Sequence, residues 1–299
     1  MKFSHLKPTE LLTPTKRERM TRHPVVVLLL FLAVMIVVEV GRGLLFQAGI
    51  LLIPGGKTLA GQLLIQLFAT LWTVLCVLLY CLLAERRTLA SLGFRGRWGA
   101  VEYAIGLLGG IVMFGSAVLL TVFTKTVTLT PANGIPSLPL LLLFFLGFLI
   151  QGMAEELLCR SYLMLSLARR LPVWVCVAGN ALLFSLLHIG NPNVSAVALL
   201  NIFLFGVFAS VLTLRRGSVW MIGALHSMWN FAQGNLFGIP VSGLKGLPSP
   251  MQASIAEGKW QTLISGGDFG LEGGLAVTAV LLVSLALVIF LPKFSPKKQ

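Results

Sequence analysis

Eight long apolar segments constrain the fold of this chain more than any other feature. A helix that crosses the hydrocarbon core of a membrane needs about 20 mostly apolar residues. Segments of roughly this kind lie at approximately 24–40, 59–84, 101–124, 138–163, 172–189, 196–214, 218–234 and 273–291. Only 11% of the residues are charged, against about 25% in a soluble domain. The sequence therefore predicts an all-α polytopic membrane protein with about eight transmembrane helices in one bundle.

Two further stretches have no assigned span. The apolar piece 43–53 is interpreted as a possible re-entrant or interfacial segment. The stretch 234–271 is rich in Gly and Pro and is predicted to be a long irregular loop, either a passive connector or a cap over a cavity.

Basic residues mark the predicted orientation in the membrane. Eighteen of the 23 Lys and Arg residues lie in the two tails or close to the ends of the second, fourth and sixth segments. Lys and Arg accumulate in cytoplasmic loops. We therefore predict basic cytoplasmic tails at 1–23 and 292–299 around a transmembrane bundle at 24–291. The net charge of +13 follows from this bias, so we expect no nucleic-acid partner.

Ionisable residues inside the predicted spans mark a candidate site, because such residues are costly in a membrane and are functional by default. The fourth span carries Glu155, Glu156 and Arg160, the fifth Phe184 and His188, and the seventh His226 and Asn230. Adjacent helix positions point about 100° apart, so Glu156 can pair with Arg160 at i,i+4 while Glu155 faces another surface. Taken singly, each group also fits a packing role. An antiparallel hairpin of the fourth and fifth spans places Glu155 and His188 at matching heights.

Together these residues form a set that can hydrolyse an amide. Glu155 and His188 would bind a water, with Glu155 as the general base. His226 and Asn230 would donate hydrogen bonds to the developing oxyanion. Glu156, Arg160 and Phe184 would support the site. Alternatively, Glu155, His188 and His226 would ligate Zn²⁺ or another divalent metal with one open position, which would make the enzyme a metalloprotease.

The same three stretches resemble the motifs of the CPBP family of CAAX proteases and bacteriocin-processing proteins, also called Abi. The family pattern is E-E-x-x-x-R, F-x-x-x-H and H-x-x-x-N or H-x-x-x-D, and residues 155–160, 184–188 and 226–230 carry it in that order. The resemblance covers about 137–234. It implies a protease core there and an intramembrane endopeptidase, and it favours a glutamate-activated water, so that no cofactor is required.

The resemblance also defines the expected surroundings and the alternatives. The stretches 188–193 and 237–243 resemble bacterial members, which predicts a bacterial inner membrane. The expected partners are the lipid bilayer and a membrane-associated or lipidated peptide or protein substrate. A non-catalytic immunity or scaffold protein stays open. A proton-coupled transporter is less favoured, because no repeated halves are evident.

The cluster of basic residues after the fourth and sixth spans predicts a site that opens toward the cytoplasm. The alternative is an outward mouth beneath the loop 234–271, because His188 lies close to the outer end of its span.

Overall fold

The computed structural model describes residues 23–95 and 98–291, together with Leu11 and Glu18. The predicted tails at 1–23 and 292–299 therefore lie outside the described residues, apart from Leu11, Glu18 and His23.

Long helices make up most of the described chain, and they coincide with the predicted spans. In chain order they are α1 (Pro24–Leu52), α2 (Leu59–Leu79), α3 (Gly99–Phe123), α4 (Leu138–Glu156), α5 (Val173–Leu186), α6 (Ala196–Arg216), α7 (Trp220–Phe231), the short α8 (Lys259–Ser265) and α9 (Leu275–Phe290). Wider π-helical turns extend α2 through Tyr80–Ala84, α4 through Leu157–Met164 and α7 through Ala232–Leu236. After its π-helical stretch, α4 ends with an α-helical turn, Leu165–Ala168. The all-α membrane fold is confirmed.

The predicted number of full spans differs from what the helix lengths show. In the described part of the chain, five helices are long and apolar enough to cross a membrane: α1, α2 and α4 with their extensions, α3 and α6. The helices α5 and α9 are apolar but shorter, with 14 and 16 residues. The helix α7 has 12 residues and is almost entirely buried by its neighbours, so protein rather than lipid surrounds it. The outer surface is apolar, with Phe123 86% and Leu52 80% exposed.

Two interpretations of the connecting segments are corrected by the structure. The piece 43–53 is not re-entrant, because α1 runs without interruption to Leu52. The stretch 234–271 is not wholly irregular, since it contains α8 and a strand, β2 (Met251–Ile255). This strand pairs antiparallel with β1 (Val127–Pro131), which follows α3. The two strands tie the segment to the α3–α4 connection.

The basic segments meet at one end of the bundle, which we call the basic end. Arg87, after α2, donates from Nη1 to Ser166 Oγ (3.0 Å), near the end of α4. Arg169, after α4, donates to Glu18 of the N-terminal tail (2.8 Å). Arg215, at the end of α6, donates to the Leu291 carbonyl oxygen beyond α9 (2.6 Å). We call the opposite end, with residues 187–195 and 237–274, the distal end.

The sequence sets the limits of α6, which crosses between the two ends. Ser195 caps its N-terminus, because the Ser195 side chain accepts a hydrogen bond from the Ala198 backbone N–H. Arg215 and Arg216 occupy its last turn, where cations interact favourably with the helix dipole. Gly217 then takes the left-handed conformation that ends the helix, with φ of 67°.

The close approach of α4 and α7 positions the candidate site. A Cβ atom at Gly152 would lie 2.7 Å from the backbone nitrogen of Ser227, so only glycine lets the two helices come this near. The residues that follow Gly152 on α4, Glu155 and Glu156, are thereby placed beside His226, which precedes Ser227 on α7.

Candidate active site

A cavity of about 520 Å³ lies inside the bundle, and its lining includes Glu155, His188, His226 and Asn230. This volume falls in the range of roughly 300–1,000 Å³ that is usual for small-molecule sites. These residues, from the helices α4 and α7 and from the turn after α5, therefore converge on one space, although 75 positions separate Glu155 from Asn230. Phe184 also lines the cavity.

Glu155 faces the cavity with one oxygen held and the other unpaired. Gln151, one turn earlier on α4, donates from Nε2 to Glu155 Oε1 (2.6 Å). Glu155 Oε2 lies 3.7 Å from His226 Nε2, which is too long for a hydrogen bond. Among the described residues this oxygen has no hydrogen-bond partner. A carboxylate fixed at one oxygen and unpaired at the other is the arrangement that a general base needs.

Glu156 points away from the cavity and joins a buried pair. Its Oε1 accepts from Arg160 Nη1 (3.1 Å), and both side chains are fully buried. The same oxygen lies 2.9 Å from His226 Nδ1. A carboxylate only accepts hydrogen bonds, so His226 Nδ1 carries a proton. The i,i+4 pair expected from the sequence is present, and it also orients the ring of His226, which the sequence did not indicate.

Phe184 connects this buried pair to His188. The guanidinium carbon of Arg160 lies 4.2 Å from the centre of the Phe184 ring, a cation–π contact. The Phe184 ring also packs edge-on against His188, with centroids 4.8 Å apart. The aromatic side chain therefore stabilises the buried cation on one side and supports the imidazole on the other.

His188 lies outside the helix on which the sequence placed it. The helix α5 ends at Leu186, and His188 is in the turn that follows. Its Nδ1 lies 2.8 Å from the Phe184 carbonyl oxygen. Because a carbonyl oxygen accepts, Nδ1 carries the proton, and Nε2 of the neutral ring is an acceptor.

Asn230 reaches Glu155 through a residue that sequence reasoning missed. Asn230 donates from Nδ2 to Gln151 Oε1 (3.0 Å), and Gln151 in turn donates to Glu155. The side-chain amide of Asn230 has a second N–H, which remains available to a ligand. Gln151 could have been found from its position, since it lies at i−4 from Glu155 in an apolar helix.

Several other polar residues that the sequence did not single out line the same cavity. The helix α1 contributes Glu39 and Arg42, which form an ion pair of 2.9 Å. The helix α2 contributes Gln66, Thr70 and Thr73, and the distal end contributes Asn191, Ser242 and Glu272. No local pattern places these residues together, because the cavity is formed by segments far apart in the chain.

The metal-binding alternative requires three protein ligands around one point. Within the described residues, no group of three or more His, Cys, Asp and Glu side chains is arranged to hold a metal ion. His226 Nδ1 and His188 Nδ1 face protein acceptors, which leaves Nε2 as the ring nitrogen that either histidine would offer to a metal. We derive no step through a metal.

The cavity extends toward the distal end of the bundle. Its lining extends from Glu155 to Pro192, Leu244 and Leu247 at the distal end. Of the described residues in the turns after α2, α4 and α6, none lines it. The lining favours the alternative mouth at the distal end, and the side on which the site opens stays a prediction. The distal end is favoured because His188 lies beyond the distal end of α5 rather than deep inside it.

Fold and site together define a class: a polytopic membrane protein with a carboxylate, two imidazoles and an amide around an internal cavity. Residues 137–232 match the family described as type II CAAX prenyl endopeptidase Rce1-like. The chain thus carries a domain of this family, which confirms the resemblance to the CPBP proteases, and all three motifs lie inside the matched range. The match supports an intramembrane endopeptidase in general terms and gives no support to the metalloprotease or Abi labels. No curated protein and no solved structure matches the chain.

Proposed function

We propose that this protein is an intramembrane endopeptidase of the CAAX-protease type that hydrolyses a peptide bond with water activated by Glu155. The observation that carries the proposal is the unpaired Glu155 Oε2, 3.7 Å from His226 Nε2, in the cavity that His188 and Asn230 also line. The match of residues 137–232 to a prenyl endopeptidase family supports it.

The hydrogen-bond acceptors of the site would hold the nucleophilic water molecule. Glu155 Oε2 and His188 Nε2 both accept hydrogen bonds, so they suit the two protons of one water molecule. Glu155 takes a proton as the water oxygen attacks the peptide carbonyl carbon. Glu155 then returns this proton to the leaving nitrogen as the C–N bond breaks.

The hydrogen-bond donors of the site would stabilise the oxyanion that forms after water attacks and before the C–N bond breaks. Asn230 offers its second N–H. His226 already directs Nδ1–H to Glu156, so it becomes a donor at Nε2 only when the ring carries a second proton. Glu155 and Glu156 flank the ring and stabilise this cationic form by charge. Donors placed where negative charge develops contribute strongly to catalysis.

The substrate that this cavity suits is a membrane-associated or lipidated peptide. The cavity is too small for a folded domain, and apolar helices surround it, so a flexible segment must enter. Because the lining extends to the distal end, we propose that the peptide reaches Glu155 from there.

The first test is a cleavage assay on the purified protein in detergent. We expect cleavage of a synthetic peptide that carries a farnesylated cysteine near its C-terminus, and faster cleavage than of the same peptide without the lipid. Mass spectrometry of the products identifies the bond that is cut. A matched sample of Glu155→Gln protein shows whether the activity belongs to this site. If a broad panel of lipidated and plain membrane peptides stays intact, the non-catalytic immunity or scaffold function replaces the protease.

Orientation is a separate prediction. We propose an inner-membrane protein of a bacterium with both termini and the basic end in the cytoplasm, because Lys and Arg are retained there. In a variant without the four native cysteines, Arg170→Cys at the basic end should react with an impermeant maleimide only in inverted vesicles. Lys245→Cys at the distal end should react only in intact spheroplasts. Both positions are exposed. The reverse pattern would place the distal end, and with it the cavity, on the cytoplasmic side.

A further inference from the structure

The turn that carries His188 is held by side chains from the distal end. Asn191, three residues after His188, donates from Nδ2 to the Ser242 carbonyl oxygen (3.1 Å). The Asn191 backbone N–H also donates to the His188 carbonyl oxygen (3.0 Å). Since α5 ends at Leu186, these contacts add to the hydrogen bond from the His188 backbone N–H to the Ser185 carbonyl oxygen (3.1 Å) in fixing the position of His188.

Ser242, whose carbonyl oxygen accepts from Asn191, has a backbone conformation that other contacts must stabilise. Its φ is +47°, a left-handed value that is uncommon and strained for a residue other than glycine. The next residue, Gly243, also has a positive φ, and a Cβ atom there would overlap the Pro192 carbonyl oxygen. The two segments therefore contact each other closely at this point.

The Glu272 carboxylate stabilises this conformation of Ser242. Its Oε2 accepts from the Ser242 backbone N–H and from Ser242 Oγ, each at 2.7 Å. Hydrogen bonds to an ionised carboxylate are stronger than neutral ones. Gln233, in the π-helical turn after α7, lies 3.3 Å from the same oxygen. The backbone of Glu272 is also anchored, because its carbonyl oxygen accepts from Asn201 Nδ2 (2.8 Å) on α6.

These contacts form one continuous path from Glu272 through Ser242 and Asn191 to His188. We propose that Glu272 is a positioning residue of the protease: its carboxylate fixes Ser242, and Ser242 fixes the turn that holds His188 toward the water. The inference rests on the proposed function, in which His188 binds the nucleophilic water. Glu272 itself takes no part in the bond-making steps.

The test compares Glu272→Ala with a matched control in the same segment. We expect kcat for Glu272→Ala to fall by about 10- to 100-fold, by analogy with the loss of a residue that orients a metal-ligating side chain, with KM little changed. Glu272→Gln keeps one acceptor oxygen and should recover part of the loss. The control is Asp268→Ala, whose side chain is 71% exposed and pairs with the surface residue Lys245. It should behave like the unmodified protein.

A double variant separates positioning from general damage. If Glu272 acts through His188, Glu272→Ala should lower kcat no further in a His188→Ala background, because residues that act as a unit are not additive. An equal fold-loss in both backgrounds would overturn the proposal. So would an unchanged kcat in Glu272→Ala.

A spectroscopic readout keeps the inference distinct from the proposed function. The chain has four histidines, so the His188 ring resonances can be assigned in protein labelled with ¹⁵N-histidine by their loss in His188→Ala. Glu272→Ala should shift or broaden them, and Asp268→Ala should leave them unchanged. Absence of any cleavage by the unmodified protein would defeat the proposed function, while these spectra would still decide whether Glu272 positions His188. Identical His188 resonances in Glu272→Ala and the unmodified protein would refute the positioning role.

Discussion

Glu155→Gln is expected to lower kcat for peptide cleavage by about 10²- to 10⁴-fold, the contribution of a positioned general base. Glutamine has the same shape as glutamate, and its amide oxygen can still accept the hydrogen bond from Gln151 Nε2. What is lost is the basic oxygen that faces the cavity. The measurement is the steady-state cleavage rate of the lipidated peptide, together with a thermal unfolding scan to show that the fold persists.

The matched control for Glu155→Gln is Glu39→Gln. Glu39 also lines the cavity, on α1, and is paired with Arg42. Loss of this carboxylate should leave the rate within about threefold of the unmodified protein, well below the effect of removing a general base. If both variants lost activity equally, charge in the cavity rather than proton transfer by Glu155 would explain the effect.

Arg160→Met should lower the free energy of unfolding by about 3–5 kcal/mol, the cost of removing one partner of a buried ion pair. Arg160 and Glu156 are both fully buried, so the Glu156 carboxylate would lose its strongest neutralising charge. Arg160 also contacts the Phe184 ring at 4.2 Å. Unfolding in a titration of sodium dodecyl sulfate against a mild detergent measures the change.

A double variant separates the effect of the Arg160–Glu156 pair on stability from its effect on activity. Arg160→Met with Glu156→Leu removes both buried charges, and we expect it to recover much of the lost stability, since apolar replacements of buried pairs are often neutral or stabilising. Cleavage should not recover, because His226 Nδ1 would still lack its acceptor. The control is Arg42→Met, whose partner Glu39 is 55% exposed, and which should cost at most about 1 kcal/mol. Recovery of full activity in the double variant would contradict the role assigned to Glu156.

Local periodicity was enough to predict a large part of this protein. The length of the apolar segments indicated the helices, since a membrane leaves few other structures for such segments. The i,i+4 spacing of Glu156 and Arg160 indicated their contact, and the 100° divergence of neighbouring helix positions separated Glu155 from Glu156. Five of the eight predicted spans have the length of a membrane crossing. Of the others, α7 is buried by its neighbours and need not match the thickness of the lipid, whereas α5 and α9 are short helices with exposed apolar side chains such as Leu182 and Phe290.

Other features depended on contacts between distant segments, which helical periodicity does not specify. The sequence placed His188 on a helix, but the helix ends two residues earlier and Asn191 holds the turn through Ser242, 51 positions away. It indicated the contact of Glu156 with Arg160, but Glu156 also orients His226, 70 positions away. The extension of the cavity to the distal end follows from the same contacts.

What the sequence by itself determined is the class of fold, the helices and the three motifs, because each depends on residues within a few turns of one another. The tertiary structure decided which nitrogen of His188 and of His226 is protonated, that Gln151 joins Asn230 to Glu155, and that Glu272 supports the turn of His188. The physical reason is that a hydrogen bond requires its donor and acceptor to lie about 3 Å apart in a set direction. Only the packing of α4, α6 and α7 with the distal segments brings these particular atoms to that distance.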